Sequence, residues 1–404
     1  MHFSFLPSAV FSFVFSFPSY SQYAQPIKLQ DRTSVDLKVG AEQSEKYFPL
    51  LKDKRVAVVA HPASLVKNTH LVDTLLKSGI KLKKIFAPEH GFRGNEGAGE
   101  KFKNNIDEKT KLPVVSLYGK NFKPKPDDLK DVDIVLFDLQ DVGARFYTYL
   151  STLHYVMESC AENKKQLIVL DRPNPNGYYV DGPILEPKFK SFSGMHPVPI
   201  VYGMTIGEYA KMINGENWLA HGEQCNLTVI PIENYSHCDL YQLPVKPSPN
   251  LPNMSSVYMY PSLCLFEGTM VSVGRGTDKP FQIFGYPGMK EGKTSFIPKP
   301  IPGASENPMY NGQTCSAFYE GDYGEMYIKY YKKLYLFWLL NLYKNCETKE
   351  NFFNNYFNNL AGNETLKKQI IEGKTEDEIR FSWEQGLKKF KETRKKYLLY
   401  TDFE

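Results

Sequence analysis

Alternation between strand-like and helix-like segments from residue 54 onward is the feature that most restricts how this chain can fold. Runs of aliphatic and β-branched residues that suit buried strands occur at residues 55–60, 83–86, 114–117, 133–137 and 166–170. Segments of helical character follow two of these runs, at residues 69–78 and 152–163. Because strands that alternate with helices form parallel sheets covered on both faces, the predicted fold class is α/β.

The alternation fades after residue 251, which indicates a second, smaller domain. A Gly- and Pro-rich stretch runs to residue 308, and Lys- and Tyr-rich segments follow it to the end of the chain. With 404 residues, the chain is longer than the roughly 150 residues that one domain uses. We predict a domain built on the parallel sheet at residues 26–252 and a smaller α+β domain at residues 253–404.

The first 17 residues are largely apolar, and the small residues Ser19, Ser21 and Ala24 follow them. This pattern is typical of a secretory signal, so we predict a signal peptide at residues 1–25 and a periplasmic or secreted protein. The Phe–Ser alternation within it would also suit an edge strand. No other segment reaches the ~20 apolar residues of a membrane span, so we expect no integral membrane segment in the mature chain.

Charge and motif content argue against several classes of partner. The chain has 49 Lys and Arg against 45 Asp and Glu, and an excess of +4 is too small to predict a nucleic-acid-binding surface. Its six cysteines include no C-x-x-C pair. The sequence from Gly97 begins like a dinucleotide-binding loop, but Phe102 stands where the last glycine belongs. We therefore expect no cofactor. The sequence does not determine the oligomeric state.

Polar side chains gather where the predicted strands end. Open parallel sheets bind ligands beyond the carboxyl ends of their strands, so these side chains should share one cleft. Those after the second, fourth and fifth predicted strands are Glu89, His90, Arg93, Asp138, Gln140, Asp141, Arg145, Asp171, Arg172 and Asn174. A metal is disfavoured because no H-E-x-x-H motif occurs, and a Ser nucleophile because no G-x-S-x-G elbow occurs. Catalysis by carboxylates remains, with one acid protonating a leaving group and a second group assisting the opposite face.

The chain also resembles the bacterial exo-β-N-acetylmuramidase family of the NamZ type. The segments that carry the resemblance are APEHGFRG (87–94), SLYG (116–119), FDLQDVGARFYT (137–148), LDRPNP (170–175), GMTIGE (203–208), PSPNLP (247–252), FEGTMVSVGRGT (266–277) and KYLLY (396–400). The resemblance implies a Rossmann-like N-terminal domain, a smaller C-terminal domain and an active cleft between them. It further implies the release of N-acetylmuramic acid from the non-reducing ends of peptidoglycan fragments, with muropeptides or disaccharides as partners.

The expected catalytic residues are Glu89, His90, Asp138 and Glu267, with Glu89 as the general acid. The residues expected to bind the sugar are Arg93, Gln140, Asp141, Arg145, Tyr147, Asp171, Arg172, Asn174 and Arg275. Arg275 is one candidate for the lactyl carboxylate of N-acetylmuramic acid, with Arg93 and Arg145 the others, because the planar guanidinium matches a carboxylate. A purely structural bridge to Asp141 is the alternative for Arg172.

Two points stay open in the sequence. The substrate's own 2-acetamido group could attack C1, or a base could activate water for that attack. A cell-wall-glycan-binding protein without catalysis is the second hypothesis for the chain as a whole. The two functional hypotheses differ at Glu89, since a binding protein needs hydrogen bonds there but no proton donor.

Overall fold

The structure is a computed structural model that describes residues 37–93 and 105–404. The predicted signal peptide, residues 1–25, lies outside the described residues. The strands are β1 (Arg55–Ala60), β2 (Leu65–Val66), β3 (Thr69–His70), β4 (Lys81–Ala87), β5 (Asn105–Ile106), β6 (Pro113–Ser116), β7 (Ile134–Asp138), β8 (Gln166–Leu170), β9 (Asn226–Ile230), β10 (Ile283–Tyr286), β11 (Thr294–Phe296) and β12 (Cys315–Tyr319). The α-helices are α1 (Ser44–Leu51), α2 (Leu71–Lys77), α3 (Pro126–Leu129), α4 (Tyr149–Glu162), α5 (Ile206–Gly215), α6 (Met254–Leu263), α7 (Lys329–Tyr331), α8 (Phe337–Asn345), α9 (Phe357–Ala361), α10 (Thr365–Ile371) and α11 (Glu376–Lys395).

A seven-stranded sheet with the order β5-β6-β4-β1-β7-β8-β9 forms the centre of the fold. All neighbours in it are parallel except the short edge strand β5, which is antiparallel to β6. Without β5, the order is that of a doubly wound Rossmann-type sheet. The α/β prediction is therefore confirmed. Starting from β1, the chain first adds β4 and β6 on one side of it and later adds β7, β8 and β9 on the other side. This switch in strand order places a crevice beyond the carboxyl ends of β1 and β7.

The five predicted strands are confirmed as β1, β4, β6, β7 and β8, with ends that differ by at most two residues. Burial on both faces explains their continuous apolar runs, since β1 is fully buried from Val56 to Ala60. The helix predicted at residues 69–78 begins at Leu71, because Thr69 and His70 pair with β2 instead. The sixth parallel strand, β9, was not predicted. Its sequence, NLTVI, is short and mixed because it lies at the sheet edge and is only partly buried.

The C-terminal part contains a three-stranded antiparallel sheet in the order β10-β12-β11, together with helices α6 to α11. Its apolar core is continuous with that beneath the large sheet, since one buried cluster includes Phe137, Leu263 and Trp383. The chain end returns to the large sheet, where the Tyr400 hydroxyl donates to Asp171 Oδ2 over 2.5 Å. None of the described helices is long and apolar enough to cross a membrane.

Candidate active site

A pocket opens at the crevice beyond the carboxyl ends of β1 and β7, and both parts of the chain line it. Its volume is about 420 Å³ including the open mouth. The lining residues are Glu89, His90, Phe146, Tyr147, Thr148, Tyr149, Ser248, Asn250, Leu251, Tyr260, Arg275 and Phe281. The sheet thus supplies one wall through the loops after β4 and β7, and the segment from 248 to 281 supplies the other.

Glu89 is the only carboxylate among these lining residues, within the part of the chain that the structure describes. The Thr148 hydroxyl donates to its Oε2 atom over 2.9 Å. Tyr118 also hydrogen-bonds the Glu89 carboxylate; burial, followed by the charge of Glu89, raises the pKa of Tyr118. Hydroxyl groups can donate to a carboxylate and accept from a carboxylic acid. Both partners can therefore hold Glu89 in place in either protonation state.

His90 follows Glu89 in a left-handed backbone conformation, with φ of 71°. Its Nε2 atom lies 3.3 Å from Ser248 Oγ, and its buried Nδ1 atom has no hydrogen-bond partner among the described residues. Burial lowers the pKa of His90, so that the ring is neutral near pH 7. A left-handed conformation costs a non-glycine residue free energy, and such conformations are concentrated at functional sites. His90 therefore brings a neutral ring with one unused polar atom to the pocket.

A hydrogen-bond relay connects the loop after β7 to the backbone carbonyl of Glu89 and holds the turn at Glu89 in place. The Gln140 backbone N–H donates to His61 Nε2 over 2.9 Å, so the proton of the neutral imidazole is on Nδ1. That atom lies 3.3 Å from the Tyr149 hydroxyl, which in turn donates to the Glu89 carbonyl over 3.5 Å. Burial, with Arg172 as a smaller contribution, holds the pKa of His61 well below its usual value. His61 and Tyr149 are thus neutral groups that position the loop.

Arg275 reaches the pocket from the C-terminal part. Its Nε atom donates to Glu267 Oε1, and its guanidinium lies 5.2 Å from the centroid of the Phe281 ring. Burial lowers the pKa of Arg275, but the Glu267 carboxylate outweighs it and raises the pKa above its usual value. Within residues 37–93 and 105–404, Glu267 is the one hydrogen-bond partner of this side chain. Its remaining N–H groups are available to an anion in the pocket.

Family models cover almost all of the chain that forms this pocket. The model for the N-terminal part of the exo-beta-N-acetylmuramidase NamZ matches residues 56–255, and that for the C-terminal part matches residues 258–400. The chain belongs to the NamZ family. The resemblance of its sequence motifs to that family is thereby confirmed.

Individual known proteins are also similar to this chain. The chain is 41% identical over 375 residues to the peptidoglycan beta-N-acetylmuramidase NamZ of Bacillus subtilis (strain 168). The aligned region covers 88% of this chain and 89% of that protein. A DUF1343 family protein of Bacteroides fragilis superimposes with a TM-score of 0.85 at 46% identity, over 91% of this chain and 99% of that one. A second DUF1343 family protein of Bacteroides fragilis superimposes with a TM-score of 0.74 at 27% identity, over 90% of this chain and 99% of that one.

Several predicted site residues of this NamZ-family chain lie beneath the pocket rather than in it. Asp138, predicted to be catalytic, is fully buried and accepts two hydrogen bonds from Arg172, at 2.5 and 2.8 Å. Arg172 also donates to the Leu65 carbonyl over 3.0 Å. The sequence suggested Asp141 as the structural partner of Arg172, but the structure gives Asp138 that place. Neither side chain is left free to contact a sugar.

Asp171 and Asn174 are likewise used inside the protein. Asp171 accepts hydrogen bonds from Tyr400 and Thr205 and is fully buried. Burial raises the pKa of Asp171 to about 6. Asn174 donates to the Met204 carbonyl over 2.8 Å. Both predicted sugar-binding residues are therefore corrected to supports of the loops after β8.

Three other predicted sugar ligands also have partners outside the pocket. The Gln140 side chain donates to the carbonyls of Asp141 and Pro173, at 2.9 and 2.8 Å. Arg145 is buried, and its guanidinium donates to four backbone carbonyls, two of them at the end of α9. Arg93 makes two hydrogen bonds to Asp107, at 2.7 and 2.9 Å. None of these three side chains is among the lining residues of the pocket.

Three other predicted site residues are related to the pocket in different ways. They are Tyr147, Glu267 and Asp141. The Tyr147 ring lines the pocket, but its hydroxyl donates to the Pro247 carbonyl over 2.8 Å. Glu267 contacts the pocket through Arg275. Asp141 is buried and accepts from the Gly143 N–H over 2.7 Å, in the turn that leads to the Phe146–Tyr149 wall. Asp141 therefore shapes that wall instead of touching a ligand.

Pocket residues that were not among the predicted site residues include Thr148, Ser248, Asn250 and Phe281. Thr148 closes the motif FDLQDVGARFYT, and Ser248 and Asn250 lie in PSPNLP. The motifs were therefore the signal for Thr148, Ser248 and Asn250, whereas Phe281 lies outside every motif. Within the described residues, no cluster of His, Cys, Asp and Glu could hold a metal ion.

We expect Asp141→Asn to change how stability depends on pH. Burial raises the pKa of Asp141 to about 7, although the Tyr202 hydroxyl and the Gly143 N–H stabilise the anion. Between about pH 4 and pH 7 the folded protein keeps a proton that the unfolded chain has released, so raising the pH through this window destabilises the fold. The wild-type free energy of unfolding should therefore fall relative to that of the variant by roughly 2–4 kcal/mol across the window. Urea unfolding of both proteins at a series of pH values measures this difference. A difference that does not vary with pH would contradict the buried-proton assignment.

Proposed function

We propose that this chain is an exo-acting glycoside hydrolase that releases N-acetylmuramic acid from the non-reducing ends of peptidoglycan fragments. The observation that carries the proposal is Glu89, which Thr148 and Tyr118 hold and which is the one carboxylate among the described lining residues of the pocket in a NamZ-family chain. The NamZ protein of Bacillus subtilis, which shares 41% identity with this chain, is named a peptidoglycan beta-N-acetylmuramidase. No observation on the described residues favours a glycan-binding protein without catalysis.

In this proposal Glu89 is the general acid. It protonates the glycosidic oxygen as the bond to C1 breaks, and the two hydroxyl partners then stabilise the resulting carboxylate. The His90 ring lines the pocket beside Glu89, and its Nε2 atom lies 3.3 Å from Ser248 Oγ. The relay through His61 and Tyr149 keeps the Glu89 turn in position.

The opposite face of the sugar is served by the substrate itself. A protein nucleophile would need a second carboxylate about 5 Å from the acid. Asp138, Asp141 and Asp171 are buried, and Glu267 is bound to Arg275. The 2-acetamido oxygen of N-acetylmuramic acid can instead attack C1 as the glycosidic bond breaks, which gives an oxazoline. Water then attacks C1 and opens the oxazoline to release N-acetylmuramic acid, and no further carboxylate has to act as a nucleophile.

Arg275 binds the lactyl carboxylate that distinguishes N-acetylmuramic acid from N-acetylglucosamine. Of the three arginines that the sequence offered, Arg145 and Arg93 have their donors engaged elsewhere, whereas Arg275 lines the pocket. A charge-assisted hydrogen bond in a cleft contributes about 1.5–3 kcal/mol, which corresponds to roughly one to two orders of magnitude in affinity.

Wild-type protein should therefore cleave a β-N-acetylmuramide in preference to the matching β-N-acetylglucosaminide, and Arg275→Ala should lower kcat/KM on the muramide by about 10–100-fold. Activity on the glucosaminide should change much less. The steady-state rates of both proteins on both substrates measure this. Arg55→Ala is the control, because Arg55 forms a partly exposed ion pair with Asp133 away from the pocket. Equal losses on the two sugars would make Arg275 a support of its loop and remove it from substrate recognition.

We also propose where the protein is located in the cell and how the chain divides into domains. Residues 1–25 form a signal peptide, so the protein acts in the periplasm or outside the cell, where peptidoglycan is found. Residues 26–252 form the Rossmann-like catalytic domain, and residues 253–404 form the α+β domain that completes the cleft. The contribution of Arg275 and Phe281 to the pocket supports this division of labour.

A further inference from the structure

Four aromatic side chains form a cluster next to the pocket, and only the hydroxyl of one of them, Tyr118, has a part in the proposed catalysis. We call Tyr118, Phe122, Tyr155 and Phe192 the aromatic shelf. Each of them is partly exposed, and none belongs to the apolar cores of the described residues. Large apolar rings that neither pack in a core nor stand alone on the surface indicate a binding site.

The rings of the aromatic shelf pack on one another. The Phe122 and Phe192 centroids are 4.1 Å apart, and the Tyr155 ring lies 6.3 Å from each and within 20° of parallel to both. Tyr118 meets Phe122 and Phe192 at 6.2 and 6.0 Å. Phe122 and Phe192 therefore lie face to face, and a ring face that such a stack leaves uncovered matches the C–H face of a pyranose.

Tyr118 joins the shelf to the catalytic carboxylate. Its hydroxyl hydrogen-bonds Glu89, while its ring packs against the rest of the shelf. A general acid lies beside the oxygen that links the cleaved sugar to the next one. In an exo-acting enzyme the terminal sugar fills the pocket, so the next sugar must lie outside it, on the side of the acid. The shelf begins at that place.

The lysine that follows the shelf residue Phe122 in the chain is paired within the protein. Lys123, next to Phe122, is paired with Glu158 and Glu162 at 2.7 and 2.6 Å. Its charge is therefore compensated within the protein. The sugar that follows N-acetylmuramic acid in peptidoglycan is N-acetylglucosamine, which is uncharged.

We propose that the aromatic shelf binds the leaving sugar, an N-acetylglucosamine residue, by stacking. This inference rests on the proposed function and extends it from the terminal sugar to the next one along the chain. The shelf selects substrates in which a second sugar follows the one released, and Phe122 and Phe192 contribute most because each contacts all three other rings.

The test compares two substrates that give the same product. Methyl β-N-acetylmuramide has no group that reaches the shelf, whereas the disaccharide of N-acetylmuramic acid linked β-1,4 to N-acetylglucosamine does. We expect Phe192→Ala to lower kcat/KM on the disaccharide by about five- to ten-fold and to leave the methyl glycoside within about two-fold of wild type. Phe192→Tyr should keep wild-type values on both substrates, and Phe122→Ala should repeat the selective loss.

Phe381→Ala is the matched control, since Phe381 is 77% exposed on α11 and lies away from the shelf. Thermal unfolding of each variant establishes that it is folded. Equal losses on both substrates, or no loss on the disaccharide, would contradict the proposal that the shelf binds the leaving sugar. Neither result would contradict the proposed hydrolase activity. Wild-type protein that releases N-acetylmuramic acid from neither substrate would overturn the proposed function, and the shelf with it.

Discussion

We expect Glu89→Gln to lower kcat on methyl β-N-acetylmuramide by about 10²–10⁴-fold, the usual contribution of a general acid. Gln has the same shape and can still accept from Thr148, so the fold and the binding of N-acetylmuramic acid should be retained. It cannot protonate the leaving oxygen. Calorimetric binding of N-acetylmuramic acid and the steady-state rate on the methyl glycoside measure the two effects separately.

The leaving group provides an internal control for this variant. A dinitrophenyl muramide releases a phenolate that needs no proton, so Glu89→Gln should affect its cleavage far less than that of the methyl glycoside. Glu45→Gln, on the exposed side of α1, should leave both rates unchanged. Equal losses on the two leaving groups would assign Glu89 to binding or positioning and remove it from the acid role.

The largest effect on stability is expected at the buried pair under the pocket. Arg172→Met leaves the Asp138 carboxylate fully buried without its partner, and breaking such a pair costs about 3–5 kcal/mol. Replacing both partners with apolar residues should recover most of this loss, because no unpaired charge then remains. The midpoint and slope of urea unfolding give the free energy for each protein.

Arg55→Met is the matched comparison for that experiment. Arg55 and Asp133 form a similar ion pair, but their side chains are 44% and 33% exposed, so solvent screens the pair and its loss should cost much less than that of the buried pair. If Arg172→Met costs no more than Arg55→Met, then the Asp138–Arg172 pair does not support the floor of the pocket as described.

The sequence was sufficient to predict the sheet and the edge at which the pocket opens. Apolar runs such as RVAVVA can only be strands covered on both faces, and the rule for parallel sheets places the site beyond their carboxyl ends. Glu89 and His90 were placed correctly in the pocket by that rule. The same rule grouped Asp138 with them, since it also ends a strand.

Burial distinguishes Asp138 from Glu89 and His90. No local sequence pattern shows which of these side chains will be buried. Asp138 points into the protein because Arg172, 34 residues away, meets it there. Arg145 is fixed by carbonyls at the end of α9, more than 200 residues along the chain. The second pocket wall, which includes Phe281, depends on how the C-terminal part packs against the sheet. Long-range contacts of this kind require the folded structure.

The most direct test of the account uses two peptidoglycan oligosaccharides of equal length, one ending in N-acetylmuramic acid and the other in N-acetylglucosamine at the non-reducing end. Chromatography of the products over time identifies what is released. We predict that the first yields free N-acetylmuramic acid and a chain shortened by one sugar, which then resists further cleavage because its new end is N-acetylglucosamine. The second should remain intact. Internal cleavage of either chain, or binding of the first without release of N-acetylmuramic acid, would contradict an exo-acting muramidase.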